Sequence, residues 1–360
     1  AHDTMGLASV AVDIESGVAY AVPALGQSGF EKILPINSKH PDYVVMVMAG
    51  YNHGVEPTPM RIYVGKKGVD ASGQAVDQNG SASARDKFLA RNGLLFGKIY
   101  GMAVENTAYA GLGIDAVDTT KKMLDNYMTN ASAPNQFTAK FFPTSYQWKG
   151  WDQPVSVRQT ETFLWQEASE QPKGYTFFVG DSKTEHPAQD PDLNNQRYIQ
   201  NMTQEGGMLG VDLYNLVNDL KAANGALPES ISASVVRTLP AVDGALTLKV
   251  ADKGVKHGGK GTHATWEDER AQTIAPDGLM WVKTADADIL IVDEDSGNDF
   301  GERKFVVTLD PETMLPAQPN TGYFLAMAGG KKNPRAEAKV SAYGGTFTKA
   351  NSAEFSGSWN

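Results

Sequence analysis

The sequence predicts an all-β protein, and three observations predict it. Short apolar or alternating runs of four to six residues recur from end to end. Glycine (36 residues) and proline (18), with Asn and Asp, punctuate those runs. Helical periodicity appears in only two segments, roughly 117–130 and 210–224. Many short strands with few helices define the class.

The expected strands, in order, are Ser9–Val12, Tyr43–Met48, Arg61–Val64, Gly97–Met102, Tyr175–Val179, Ala245–Val250, Leu279–Val282, Ile289–Val292 and Lys304–Leu309. Asp118 or Thr119 suits the cap of the first helix, and Leu213, Leu216, Val217 and Leu220 share a face of the second. The stretch PDGLMWVKTADADILIVDED reads as two strands joined across Thr284–Asp288. Such pairs at a spacing of about 40 to 60 residues suggest the blades of an irregular β-propeller, about six or seven in number. A β-sandwich pair is the competing architecture. The chain reads as one domain over 1–360, with a few short helices and with polar insertions near 68–91 and 181–204 as loops on one face.

Lys plus Arg is 32 against 42 for Asp plus Glu, so the net charge is −10. That argues against a general nucleic-acid binder and against an anionic membrane surface. It leaves a phosphate-bearing substrate open, because bound cations reverse the local field. With no cysteine there is no disulfide, thiolate metal site or cysteine nucleophile. No apolar run reaches the length of a membrane span. The chain begins at Ala1, which fits a chain freed of its signal peptide or simply trimmed.

The chemistry concentrates in Ile289–Glu302. A buried-strand pattern, Ile289–Val292, runs into Asp293, Glu294, Asp295, Asp299 and Glu302 around Gly297. Carboxylates this close repel one another unless a cation sits among them. Hard oxygens on a bent loop suit calcium, which takes about six to eight oxygens; a solvated acidic turn is the alternative. Asp277, in the turn Pro276-Asp277-Gly278, lies one hairpin upstream and is placed to approach that loop.

Other candidates carry bland alternatives beside them. Glu31, next to Lys32, is a ligand or half of a surface pair. Arg158 and Glu161 offer a phosphate-binding cation and a carboxylate, or a pair bracing a strand. His257 and His263 flank a glycine-rich stretch that is a weak transition-metal site or a flexible loop. Asn79, Asn130 and Asn201 begin glycosylation acceptor triplets. No GxSxG or HExxH occurs, so serine hydrolysis and that zinc motif have no support.

Several of these stretches fall in the order of one family. The chain resembles the PhoX-like alkaline phosphatases and their uncharacterised relatives, secreted bacterial β-propellers. Arg61-Ile62-Tyr63-Val64-Gly65-Lys66-Lys67 resembles the family's "YVG-K" strand, and Asn92–Tyr100 its "NG-LYGI" segment. Arg158-Gln159-Thr160-Glu161 resembles its "RPE-" turn, without the proline, and Asp277-Gly278 its "-DN-" turn, without the Asn. Val292–Asn298 is similar to "EDPGN", Glu354–Gly357 to "E-TG", and Gly29–Lys32 to an early "GHEK" motif.

The resemblance implies calcium in a central channel, held by Glu31, Glu161, Asp277, Glu294 and Glu354, with Asp293, Asp295 and Asp299 in support. It implies a small phosphoester as substrate, with Arg158 or Lys66 neutralising it and Arg158 and Glu161 acting in catalysis. The family's iron pair uses a cysteine, which this chain lacks, so iron is not expected to carry over. The expected function is a secreted, periplasmic or cell-surface metal-dependent phosphoester hydrolase. The alternatives are a non-enzymatic calcium-stabilised propeller for extracellular binding or surface assembly, and a calcium-dependent lactonase or esterase.

Overall fold

The computed structural model describes residues 9–26, 28–51, 57–114, 122–145, 165–181, 183–242, 244–250, 273, 275–295 and 302–328. The chain is mostly β, and each strand expected from the sequence has a counterpart.

A hairpin of β1 (Val10–Asp13) and β2 (Val18–Ala21) comes first. The main sheet follows: β3 (Gly29–Ile36), β4 (Tyr43–Tyr51), β5 (Arg61–Lys66), β6 (Phe96–Glu105), β7 (Gln136–Pro143), β8 (Tyr175–Phe177), β9 (Pro187–Gln189), β10 (Arg197–Met202), β11 (Gly207–Asp212) and β12 (Ile231–Leu239). Its order is β3-β4-β5-β6-β7-β12-β11-β10-β9, with β8 added beside β6. The sheet curls until its ends approach, and Gly50 of β4 bridges Thr184, just ahead of β9. The result is a nearly closed, barrel-like antiparallel sheet. The second sheet has five strands in the order β13-β17-β16-β15-β14, from β13 (Thr247–Val250), β14 (Pro276–Lys283), β15 (Asp288–Glu294), β16 (Glu302–Leu309) and β17 (Thr321–Ala328).

Two cores share β10, β11 and β12. Side chains alternate across a strand, so neighbours face opposite ways. Tyr198, Leu209, Val211 and Val235 face the barrel core with Phe141, Met102 and Tyr127. Ile199, Met208 and Val236 face the second sheet, packing with Leu290, Val292, Phe305 and Val307. The second core lies between two sheet faces, as in a sandwich. The described strands therefore form sheets of two, ten and five strands, and no repeated four-stranded unit is found among the described residues.

Three sequence expectations are corrected. The segment 210–224 begins as strand β11, and its helix is confined to α3 (Leu216–Ala222); the apolar run is that of a strand buried on both faces. The 181–204 stretch is no loop: it contains β9 and β10. The 68–91 insertion ends in α1 (Ala84–Arg91), where the Ser83 hydroxyl accepts the Asp86 N–H at 3.1 Å. The first expected helix is α2 (Met123–Thr129), while its proposed caps Asp118 and Thr119 lie outside the described residues. Arg237 donates to the carbonyls of Tyr127 (2.9 Å) and Asn130 (2.7 Å), satisfying acceptors at the end of α2. Among the described residues, no helix is long and apolar enough to cross a membrane.

Candidate metal centre

Glu31, His186 and Asp277 converge where β3, the segment entering β9, and β14 meet. One ligand atom from each lies within 4.8 Å of the others. His186 Nδ1 is 2.9 Å from Asp277 Oδ1, and its Nε2 is 4.0 Å from Glu31 Oε2. The side chains are 26% (Glu31), 14% (His186) and 6% (Asp277) exposed, so the group opens to solvent on the Glu31 side.

Both acids come from β-bulges. In β3 the register passes from Phe30↔Gly50 to Lys32↔Ala49, leaving Glu31 as the extra residue. In β14 it passes from Pro276↔Glu294 to Leu279↔Val292, so Asp277 and Gly278 stand against Asp293 alone. A bulge kinks its strand and re-aims the inserted side chain. Local geometry enforces each one. Gly50, opposite the first bulge, has φ +139°, and a Cβ there would meet the Gly29 carbonyl oxygen at 2.0 Å. Ala275, two residues before Asp277, adopts φ +43°, a left-handed conformation costing an L-residue roughly 1–2 kcal/mol.

Asn201, fully buried in β10, locks the arrangement. Its side-chain oxygen accepts the backbone N–H of His186 at 2.7 Å, and its amide donates to the carbonyls of Pro276 (2.5 Å) and Asp277 (2.6 Å). One side chain thus fixes the spacing between the His186 backbone and the bulge. That burial also removes Asn201 from the glycosylation candidates. Replacing Asn201 with Ala is expected to weaken divalent-metal binding about 10- to 100-fold, the usual cost of losing a group that orients ligands. Calorimetric titration with Mn2+ checks this, and an unchanged affinity would show that the bulge holds its shape unaided.

Electrostatics leave the group poised for a cation. Burial, then the neighbouring Glu185 carboxylate, pushes Glu31 up to about 7. For His186, burial is the strongest single influence and disfavours charge. The close approach and charge of Asp277 outweigh it, and the imidazole lies above its ordinary range. Although Asp277 Oδ1 lies so near Nδ1, it is buried and accepts no properly directed hydrogen bond. Beyond that ion-pair contact, the buried carboxylate oxygen has capacity for a further partner. Glu185 is better served: its Oε2 lies 2.6 Å from the Thr203 hydroxyl and its Oε1 3.3 Å from Lys183 Nζ.

These shifts set a pH dependence for the metal-free protein. Both groups bind protons more tightly folded than unfolded. Between about 4.5 and about 7 the folded Glu31 keeps a proton that the unfolded one has lost, and stability falls as pH rises. His186 adds a contribution of the same sign, present below its unfolded value of 6.5 and lost as pH rises through its higher folded value. Urea midpoints of the chelated protein are expected to fall from pH 4.5 to pH 8 at these two groups, and excess Mn2+ to reverse that trend. A flat profile in the Glu31→Gln, His186→Gln double variant assigns the effect.

The other expected site residues lie elsewhere. Glu294 is Pro276's register partner, yet its carboxylate takes two hydrogen bonds from Arg303, each 2.5 Å, with both side chains buried. Asp293 pairs with Lys304 directly opposite on β16, at 3.1 Å. The Asp295 N–H donates to the Ala275 carbonyl at 2.8 Å. Lys66 Nζ donates to the Gly225 carbonyl. Arg158, Glu161, Asp299, Glu354, His257 and His263 lie outside the described residues. Of the expected ligands, the structure gathers Glu31 and Asp277. Sequence reading missed His186, Glu185 and Asn201. The only signal for the first two was a carboxylate and an imidazole ahead of Pro187, in a stretch polar enough to read as loop.

Comparison with known proteins finds no family profile, no curated protein and no solved structure that matches the chain.

Proposed function

We propose that this protein is a divalent-metal-dependent hydrolase of phosphoesters, with Glu31, His186 and Asp277 as the protein ligands of the metal. The observation carrying the reading is the meeting of these three side chains, from positions far apart in sequence, within 4.8 Å. The donor set decides which ion is favoured. Calcium, which the resemblance implies, prefers an all-oxygen shell, and an imidazole makes this trio a poor match for it. Two carboxylates and one imidazole suit manganese, iron or zinc better, and three protein ligands leave positions for water and substrate.

A bound ion supplies Lewis acidity toward a phosphoryl oxygen and acidifies a coordinated water. The chain's own residues do the rest. Asp277 and His186, the more buried pair, fix the inner side of the site. Glu31, on the open side, carries a proton near neutrality without metal and must release it when a cation arrives. Glu185, anchored by Thr203, adds negative potential behind it.

The reading needs no propeller axis, since two adjoining sheets bring the ligands together as a central channel would. A bladed arrangement, the PhoX-like relationship and a secreted or periplasmic setting rest on the sequence resemblance and belong to the proposal in that sense. Calcium at the oxygen-rich turn 293–302 belongs to it likewise.

Elemental analysis of the dialysed protein for Mn, Fe, Zn and Ca, beside assays with a chromogenic phosphoester and a lactone, tests the reading. One bound transition ion, lost in Asp277→Asn, together with phosphoester turnover supports it. Metal without turnover makes the protein a metal-stabilised binding or assembly module, lactone turnover alone changes the substrate class, and no metal sinks the site.

A further inference from the structure

We infer that Lys32 forms an anion subsite beside the metal ligands, contacting the phosphoryl oxygens of a substrate held at the Glu31–His186–Asp277 centre. The inference rests on the metal reading and adds to it the residue that selects a negatively charged substrate.

Lys32 follows the inserted Glu31 in the β3 bulge. Its ammonium crosses to the second sheet, 3.5 Å from the carbonyl oxygen of Leu279, two residues beyond Asp277. That contact sits at the outer limit of a hydrogen bond. An ammonium has three donors, and no carboxylate lies within ion-pair distance of Lys32 among the described residues. The other nearby lysine differs, because Lys183 is engaged with Glu185 at 3.3 Å. Burial lowers the proton affinity of Lys32 and the Asp277 charge partly restores it, while Lys32 in turn disfavours charge on His186. The contact with Leu279 holds the ammonium against the strand that carries Asp277.

The charges then suit a two-step occupancy. Glu31, Glu185 and Asp277 bring three carboxylates to the neighbourhood, beside the ammonium groups of Lys32 and Lys183 and the imidazole of His186, and such a group of oxygen ligands attracts a cation. A divalent ion offsets the carboxylates, with an underused ammonium at its side. A phosphoryl group meets both, since its oxygens accept charge-assisted hydrogen bonds while facing the metal. Without an anion Lys32 opposes the metal, so removing its charge should affect cation and anion binding in opposite senses.

The experiment uses the full chain loaded with Mn2+, as wild type, Lys32→Met, Lys32→Gln and Lys32→Arg. Inorganic phosphate and acetate are the probes, read by paramagnetic broadening of their phosphorus and carbon NMR lines, and manganese content is measured on the same samples. Expected is a phosphate affinity about 10-fold or more lower in Lys32→Met and Lys32→Gln, the scale of one charge-assisted hydrogen bond, and within a few fold of wild type in Lys32→Arg. Manganese affinity should hold or rise in the neutral variants, which a merely structural loss would not produce. Phosphate affinity unchanged in a neutral variant that retains manganese overturns the inference alone. Dependence on Lys32 for acetate but not phosphate overturns the phosphoryl assignment. Wild type that holds no manganese overturns the metal reading, and the Lys32 subsite falls with it.

Discussion

Asp277→Asn is expected to lower divalent-metal affinity by more than about 100-fold, beyond the cost of disturbing a residue that only orients ligands. The substitution removes a charge while keeping size and shape, and the site magnifies that loss. Asp277 is the most buried of the three ligands and its Oδ1 accepts no properly directed hydrogen bond. The carboxamide presents one neutral oxygen and two N–H groups, which a cation repels. The same change removes the ion-pair partner of His186 at 2.9 Å, so the imidazole loses the charge that favours its protonation. Titration by NMR should therefore show the His186 pKa lower in Asp277→Asn than in wild type. Calorimetry with Mn2+ reads the metal effect, and an affinity within about tenfold of wild type would remove Asp277 from the ligand set.

Arg303→Met is expected to destabilise the fold by about 3–5 kcal/mol, through the carboxylate it leaves behind. Arg303 and Glu294 are buried to within 2% and hold each other by two hydrogen bonds, with the guanidinium also over the Phe305 ring at 5.8 Å. Taking ions out of water costs several kcal/mol each, so the intact pair stabilises little against an apolar pair, while half of it is strongly unfavourable. Adding Glu294→Leu to Arg303→Met should then recover most of the loss. Urea unfolding of the single and double variants measures both numbers. A single variant within about 1 kcal/mol of wild type would mean that water reaches Glu294.

These two predictions mark where the sequence was readable. Strands such as Tyr43–Tyr51 and Glu302–Leu309 announced themselves through local apolar runs, because one stretch of chain carries the whole signal. The hairpin of β14 and β15 was readable for the same reason. Gly207–Asp212 was not: buried on both faces, it lost the alternation that marks a strand and merged with the helix that follows.

At the site, Glu31 and Asp277 stood out as carboxylates beside strand patterns, but the bulges that re-aim them are facts of pairing register and leave no mark on residue order. His186 lies far along the chain from both. Part of the acidic turn is compensated within the chain itself. Its density of carboxylates implied a cation, and for Asp293 and Glu294 the cations are Lys304 and Arg303, which follow Glu302 in the next strand. Those two compensating charges were in plain view, one strand further on.

The strands β10, β11 and β12 have a consequence beyond the site. They serve as a party wall: one face closes the barrel core and the other floors the second core. Neither side can be dismantled without exposing apolar surface that belongs to its neighbour. A substitution at Ile199 is thus one peptide bond from Tyr198 and the opposite compartment, and strain on one side is felt on the other through a shared backbone. Asn201 stands in that same wall, three residues from Tyr198, so the His186 backbone and the bulge it holds inherit the rigidity of both cores at once.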